Sequence, residues 1–206
     1  MDRKEAIEKI KLLIGKDLVP LAEQYHVTIW KSPGKKNKGW AGHVIERYLG
    51  LPINSAQSPN FGSWELKVIP LKHSKKGLVV KETMAITMID PYNVVSHPFE
   101  QSHLLAKLQK MVVVARIFKG IDEKTSVLHS VGHFDLSDSQ VYETVREDYE
   151  YVRKKIQEEG FHTLTGKMGT HVQPRTKGPG HGSISRAFYA RTHFVAHIIG
   201  LKLFPC

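Results

Sequence analysis

The spacing of apolar residues changes period along the chain, and each change predicts an element. Over residues 3–14, Ile7, Ile10, Leu13 and Ile14 fall on one side of a helix that Gly15 ends. Residues 17–25 predict a second helix with Pro20 in its first turn. Residues 32–39 read as a basic, glycine-containing loop, and 40–49 as a helix with apolar positions at Val44, Ile45, Tyr48 and Leu49. Residues 50–61, rich in Pro, Asn and Ser, predict a loop. Strands are predicted over 64–71 and 78–90, paired antiparallel around the basic turn at 73–77. Residues 99–110 read as a helix, 111–118 as a buried central strand, and 125–131 as a further strand. The longest helix is predicted over 137–159, capped by Ser137 and stopped by Gly160. Strands at 170–175 and 187–190 flank a glycine-rich stretch, and a helix over 192–203 closes the chain. Helices and strands mixed in this way predict an α/β fold with a mixed sheet.

Composition narrows the class. The 206 residues, 41% of them hydrophobic, suffice for one substantial core and predict a single domain over 1–206. The net charge is +10, which favours a polyanionic partner, nucleic acid first and an acidic membrane surface second. Cys206 is the only cysteine, so no disulfide can form within the chain, which fits a reducing cytoplasm. The start, MDRKEAIEKIK, is charged and helical, unlike a signal peptide, and no stretch approaches the ~20 apolar residues of a membrane span. The expected location is cytoplasmic, with no membrane partner.

The candidate chemistry centres on Glu65-Leu66-Lys67. On a strand, Glu65 and Lys67 share one face while Trp64, Leu66 and Val68 share the other. Such a pair is commonly just a solvated strand face, but it is also half of a metal-dependent nuclease site. Carboxylate oxygens suit Mg²⁺, and a lysine beside the metal can orient water and offset developing charge. Glu46, beside an apolar helical stripe, either reaches water or faces the same site, and Lys107 is a helix residue just before the central strand. His193 and His197 stand at i,i+4, but no HExxH accompanies them, which argues against zinc. His171 and His181 read as polar or DNA-facing surface residues. Residues 174–182, PRTKGPGHG, form a cationic loop whose glycines permit close approach to a phosphate backbone, or a plain solvent loop.

Taken in order, these stretches resemble the MutH family of mismatch-repair nickases and GATC-cutting type II restriction enzymes. The likeness is carried by GKKNKGWAG at 34–42 running on to Glu46, and by Pro59-Asn60-Phe61 with WELKVIP at 64–70. It continues through Ser102-His103 and Lys107-Leu108, then HVQPRTK at 171–177, Arg186 to Tyr189, and Phe194. The resemblance implies a restriction-endonuclease-like mixed β-sheet flanked by helices, with two lobes around a DNA cleft. The catalytic lobe would span about 1–120 and the DNA-recognition lobe about 121–206. It implies Mg²⁺-dependent cleavage of double-stranded DNA at GATC, leaving 5′-phosphate ends, with Mn²⁺ able to substitute. By position, Glu46, Asn60, Glu65, Lys67 and Lys107 would be catalytic. Asn60, Glu65 and the Leu66 carbonyl would hold metal. Lys36, Lys38, Gln173, Arg175, Lys177, Arg186 and Tyr189 would face DNA.

The departure is Asn60, where the family carries aspartate. Asparagine keeps a coordinating oxygen but loses the charge that a hard cation needs. Three readings follow: an Asp-to-Asn change that disarms an otherwise active enzyme, a natural non-catalytic DNA-binding or effector domain, or tolerance of Asn with altered metal preference. Retention of Glu46, Glu65, Lys67 and Lys107 favours the first. A mismatch-repair nickase would differ in partners and require a MutL-type activator. A palindromic target would suit either a homodimer or sequential nicking by a monomer.

Overall fold

A computed structural model of the chain describes residues 1–51, 62–75, 77–178 and 184–201. Asn60, His181 and Cys206 lie outside the described residues.

The architecture grows from the central strand. β6 (Lys110–Ile117) pairs parallel with β3 (Glu65–Ser74) and antiparallel with β7 (Leu128–Asp135); β4 (Gly77–Val80) lines the other edge of β3. Because side chains alternate across a strand, the continuous apolar run of β6 feeds two cores at once. Met111, Val113, Ala115 and Ile117 join a core with α5 (His103–Leu108), α6 (Ser139–Glu159) and α7 (Thr192–Ile198). Val112 and Val114 join a second core with α1 (Arg3–Lys11), α2 (Leu18–Gln24) and α3 (Trp40–Tyr48). A second sheet, ordered β5-β9-β8, is fully antiparallel: β5 (Met84–Met88), β9 (Arg186–Ala190), β8 (Val172–Thr176). Its Phe188, Ala190 and Val172 pack into the first core. The fold is thus α/β, a mixed sheet flanked by helices, as the residue pattern predicts.

Several boundaries differ from the sequence expectation. The loop expected over 32–39 contains a hairpin, β1 (Trp30–Ser32) with β2 (Lys35–Lys36), turned at Gly34, whose φ of +75° suits glycine. The strand expected over 78–90 is two strands in two sheets, interrupted at Lys81-Glu82-Thr83. Within the helix expected over 99–110, a 3-10 turn precedes α5, and an unforeseen α4 (Pro91–Ser96) lies upstream. Asp90 caps α4 by accepting from the Tyr92 and Asn93 amides, with Pro91 in the first turn, a start signal present in the sequence. Asp138, not Ser137, caps α6, its carboxylate accepting from Gln140 and Val141. No helix among the described residues is long and apolar enough to cross a membrane.

Candidate active site and DNA-facing groove

β3 and β6 are parallel and in register from Glu65↔Met111, so their starts lie side by side. α5 ends at Leu108, just before β6 begins, and therefore delivers Lys107 to the start of β3. Lys107 Nζ donates to both Glu65 oxygens, at 3.1 and 3.3 Å. Lys67, two residues along β3 on the same face, places Nζ 2.9 Å from Glu65 Oε1. Glu65 is 1% exposed and Lys107 6%, whereas Lys67 keeps contact with solvent. Three of the sequence-predicted site residues therefore meet as one carboxylate bracketed by two ammonium groups. Glu46 is buried on α3, whose Val44 and Ile45 share a core with Leu66.

The cluster opens on a groove of about 850 Å³ between the two sheets. Lys67 to Pro70 of β3 form one wall, Arg175, Thr176, Lys177 and Tyr189 the other, and Lys81 to Ala85 bridge them. Lys38 and Gly39 reach it from the loop before α3. Among the described residues, five cations line this groove, with Glu82 as the one acid. Being surrounded by protein atoms, and then the charges of Lys67 and Lys107, lower the Lys177 pKa, although its side chain retains solvent access. The Arg175 guanidinium lies 5.8 Å from the centre of the Tyr189 ring and donates to Thr83 Oγ1 at 3.0 Å. Burial raises the Tyr189 pKa, with Arg175 opposing and Glu82 reinforcing.

The wall carrying Arg175 and Lys177 is held from behind. Asp148 on α6 accepts from the amides of Thr170, His171 and Val172 at 2.5, 2.7 and 2.7 Å. This fixes the start of β8. Gly169 is required there: at φ +74° an added Cβ would sit 1.9 Å from the Val172 carbonyl oxygen.

Three expected DNA-facing residues are placed elsewhere. Lys36 points away from the groove into an ion pair with Glu123 at 2.5 Å. Gln173 is buried, with its side-chain oxygen beside Gly166, and does not line the groove. Arg186 is partly exposed and donates to the Ile184 and Ser185 carbonyls rather than lining the groove. His171 Nδ1 and His193 Nε2 are 3.1 Å apart, and no group of three or more potential metal-binding side chains occurs among the described residues. Sequence reasoning missed Lys81, Glu82 and Thr83 in the groove; the available signal was the polar break they make in an otherwise apolar stretch.

By chemistry, the carboxylate oxygens of Glu65 and Glu46 and the Leu66 carbonyl are the oxygen donors that suit a hard divalent cation.

A mixed sheet thus gathers a carboxylate and lysines at the mouth of a basic groove. The family model of the DNA mismatch repair enzyme MutH matches residues 49–148. The DNA mismatch repair protein MutH of Vibrio campbellii is 26% identical over 213 residues, covering 95% of this chain and 92% of that protein. A Vibrio cholerae MutH is 26% identical over 215 residues, covering 96% and 95%. The type II restriction enzyme Sau3AI of Staphylococcus aureus is 24% identical over 161 residues, which is 76% of this chain and 33% of that enzyme. Among solved structures, a complex of restriction endonuclease MvaI with its cognate DNA substrate aligns over 96% of this chain and 97% of that one, at 12% identity and a TM-score of 0.45. The chain is thus similar to MutH proteins, with the family model covering just under half of its length.

Proposed function

We propose that the protein is a sequence-specific endonuclease of double-stranded DNA that hydrolyses one phosphodiester bond to 5′-phosphate and 3′-hydroxyl ends with Mg²⁺, at a GATC-type site. The observation that carries this reading is the Glu65–Lys67–Lys107 cluster at the mouth of a groove lined by five cations. Glu65, the Leu66 carbonyl and Glu46 would hold the cation, which when bound supplies Lewis-acid charge and an acidified water. Lys67 orients the attacking water, and Lys107 fixes the Glu65 carboxylate and faces the phosphate. Lys38, Arg175 and Lys177 take the flanking phosphates, as cations do in every DNA interface. Tyr189, under Arg175, presents a ring edge and hydroxyl to bases.

Asn60 supplies no charge to this metal set, so we read the chain as a nuclease that binds its site and cuts it poorly. The test is cleavage of a GATC-bearing plasmid, with Mg²⁺ and separately Mn²⁺, by this chain and by Asn60→Asp. The variant should cut at least ~100-fold faster. Equal cutting would show that position 60 lies outside the metal set. Specific binding without cleavage by either protein would establish a non-catalytic DNA-binding module.

A second reading, strand nicking under a MutL-type activator, is supported by the likeness to a Vibrio MutH over 95% of this chain. Nicked circles that accumulate only with activator would mark it; linear product from the protein alone would mark restriction. Sedimentation on a palindromic duplex would separate a homodimer from a monomer acting twice.

A further inference from the structure

The β1–β2 hairpin divides its lysines. Lys31 and Lys35 are exposed, and Lys38, just beyond it, lines the groove. Lys36 alone turns inward, with Nζ 5.7 Å from the Trp30 ring centre and 5.8 Å from that of Phe118. Its partner Glu123 is 4% exposed. Arg116 grips that carboxylate in a bidentate fork, Nη1 to Oε2 at 2.7 Å and Nη2 to Oε1 at 3.1 Å. Arg116 also donates to Ser126 Oγ at 2.7 Å and lies 5.2 Å from the ring centre of Trp40, the first residue of α3. Glu123 adopts φ +47°, a backbone conformation that non-glycine residues rarely hold without tertiary support. The hairpin is tied a second time, where the Asn37 amide donates to Ile29 O and its Nδ2 to Thr28 O.

A buried ion pair adds little net stability over apolar packing; its best-attested use is to fix one arrangement among several. Here it joins the hairpin to the one charged side chain in the buried part of β6. We infer that Lys36 and Glu123 are positioning residues for DNA binding: their ion pair sets the hairpin so that Lys35 and Lys38 meet the phosphate backbone beside the groove. Lys36 itself touches no phosphate, because its ammonium is turned onto Glu123. The inference rests on the DNA-binding reading above.

The test is the affinity of the full chain for a GATC-bearing duplex across a salt series, with amide hydrogen exchange over residues 35–37 in the DNA-free protein. Each phosphate contact contributes about 0.9 to the slope of log K against log salt. Lys38→Gln should lower both affinity and slope, by about one contact, and leave exchange unchanged. Lys36→Met should weaken binding about threefold to tenfold with the slope unchanged, and speed exchange. Glu123→Gln should also weaken binding, although loss of an anion near DNA would by Coulomb's law tighten it. Lys36→Met leaves the Arg116–Glu123 pair intact, so it decides the matter if Glu123→Gln does not fold. A slope reduced by one contact in Lys36→Met with unaltered exchange would overturn the inference, as would tighter binding by Glu123→Gln. Normal wild-type binding that the variants leave unchanged sinks this inference alone. A wild-type chain with no affinity for DNA removes the DNA reading itself.

Discussion

Two buried carboxylates, at opposite ends of the central strand pair, each sit between two cations, yet they are built differently. Glu65 stands at the start of β3 between two lysines, which are point charges on flexible stems, and one of them keeps solvent contact. Glu123 stands beyond the end of β6 under an arginine fork that also engages Ser126, so its carboxylate is geometrically fixed, although Lys36 keeps as much solvent contact as Lys67. The first arrangement can exchange its partners for a ligand; the second cannot without losing a bidentate pair. On the proposed reading, the same charge pattern would serve chemistry where it opens on a groove and positioning where the arginine lies over Trp40.

The largest effect should come from the open cluster. In an Asn60→Asp background, Glu65→Gln should reduce plasmid cleavage at least ~100-fold while duplex binding persists. Strong residual cleavage would mean that Glu65 is not a metal ligand. The arginine-held cluster should answer in stability instead. Arg116→Met leaves Glu123 buried with Lys36 as its sole cation and should lower unfolding free energy by about 3–5 kcal/mol, read from urea midpoints. If Glu65→Gln proved the more destabilising of the two, the division of roles would be reversed.

The comparison sharpens with pH. Burial alone would raise the Glu123 pKa, but Arg116 and Lys36 outweigh it and hold the carboxyl below its ordinary 4.5. A carboxylate depressed on folding stabilises fully above the unfolded value and loses that contribution as pH falls through the folded one. Asp135, held down by Arg3 at 2.5 Å, acts in the same window. Urea midpoints should therefore fall steeply below pH 4.5, and Glu123→Gln should flatten part of that decline. The smallest effect belongs to His171, whose pKa is lowered by burial and then by His193, against Asp148. A histidine depressed on folding costs stability as pH falls through its unfolded 6.5, so His171→Phe should reduce the loss between neutral and mildly acid pH. An unchanged midpoint profile would show that the imidazole titrates alike in both states.

Much of the scaffold was legible in residue order because local rules decide it. The apolar run of β6 predicted a strand buried on both faces, and the E-x-K spacing placed Glu65 and Lys67 on one face of β3. Such periodicities depend only on backbone geometry, which a short stretch of chain carries by itself. Lys107, from sequence, is an ordinary helix lysine; it joins Glu65 because parallel pairing of β3 with β6 brings α5 to that end of the sheet. The strand expected over 78–90 divides because Lys81 to Thr83 cross from one sheet to the other, a transition that no local propensity encodes. Lys36 and Lys38 are the same residue type two positions apart, yet one is paired with Glu123 and the other lines the groove. Arg116 within an apolar strand was the one sequence hint that a buried anion had to exist. Its identity, Glu123, and the inward turn of Lys36 were decided by tertiary structure, because charge pairing in a buried site acts through space between segments far apart in the chain.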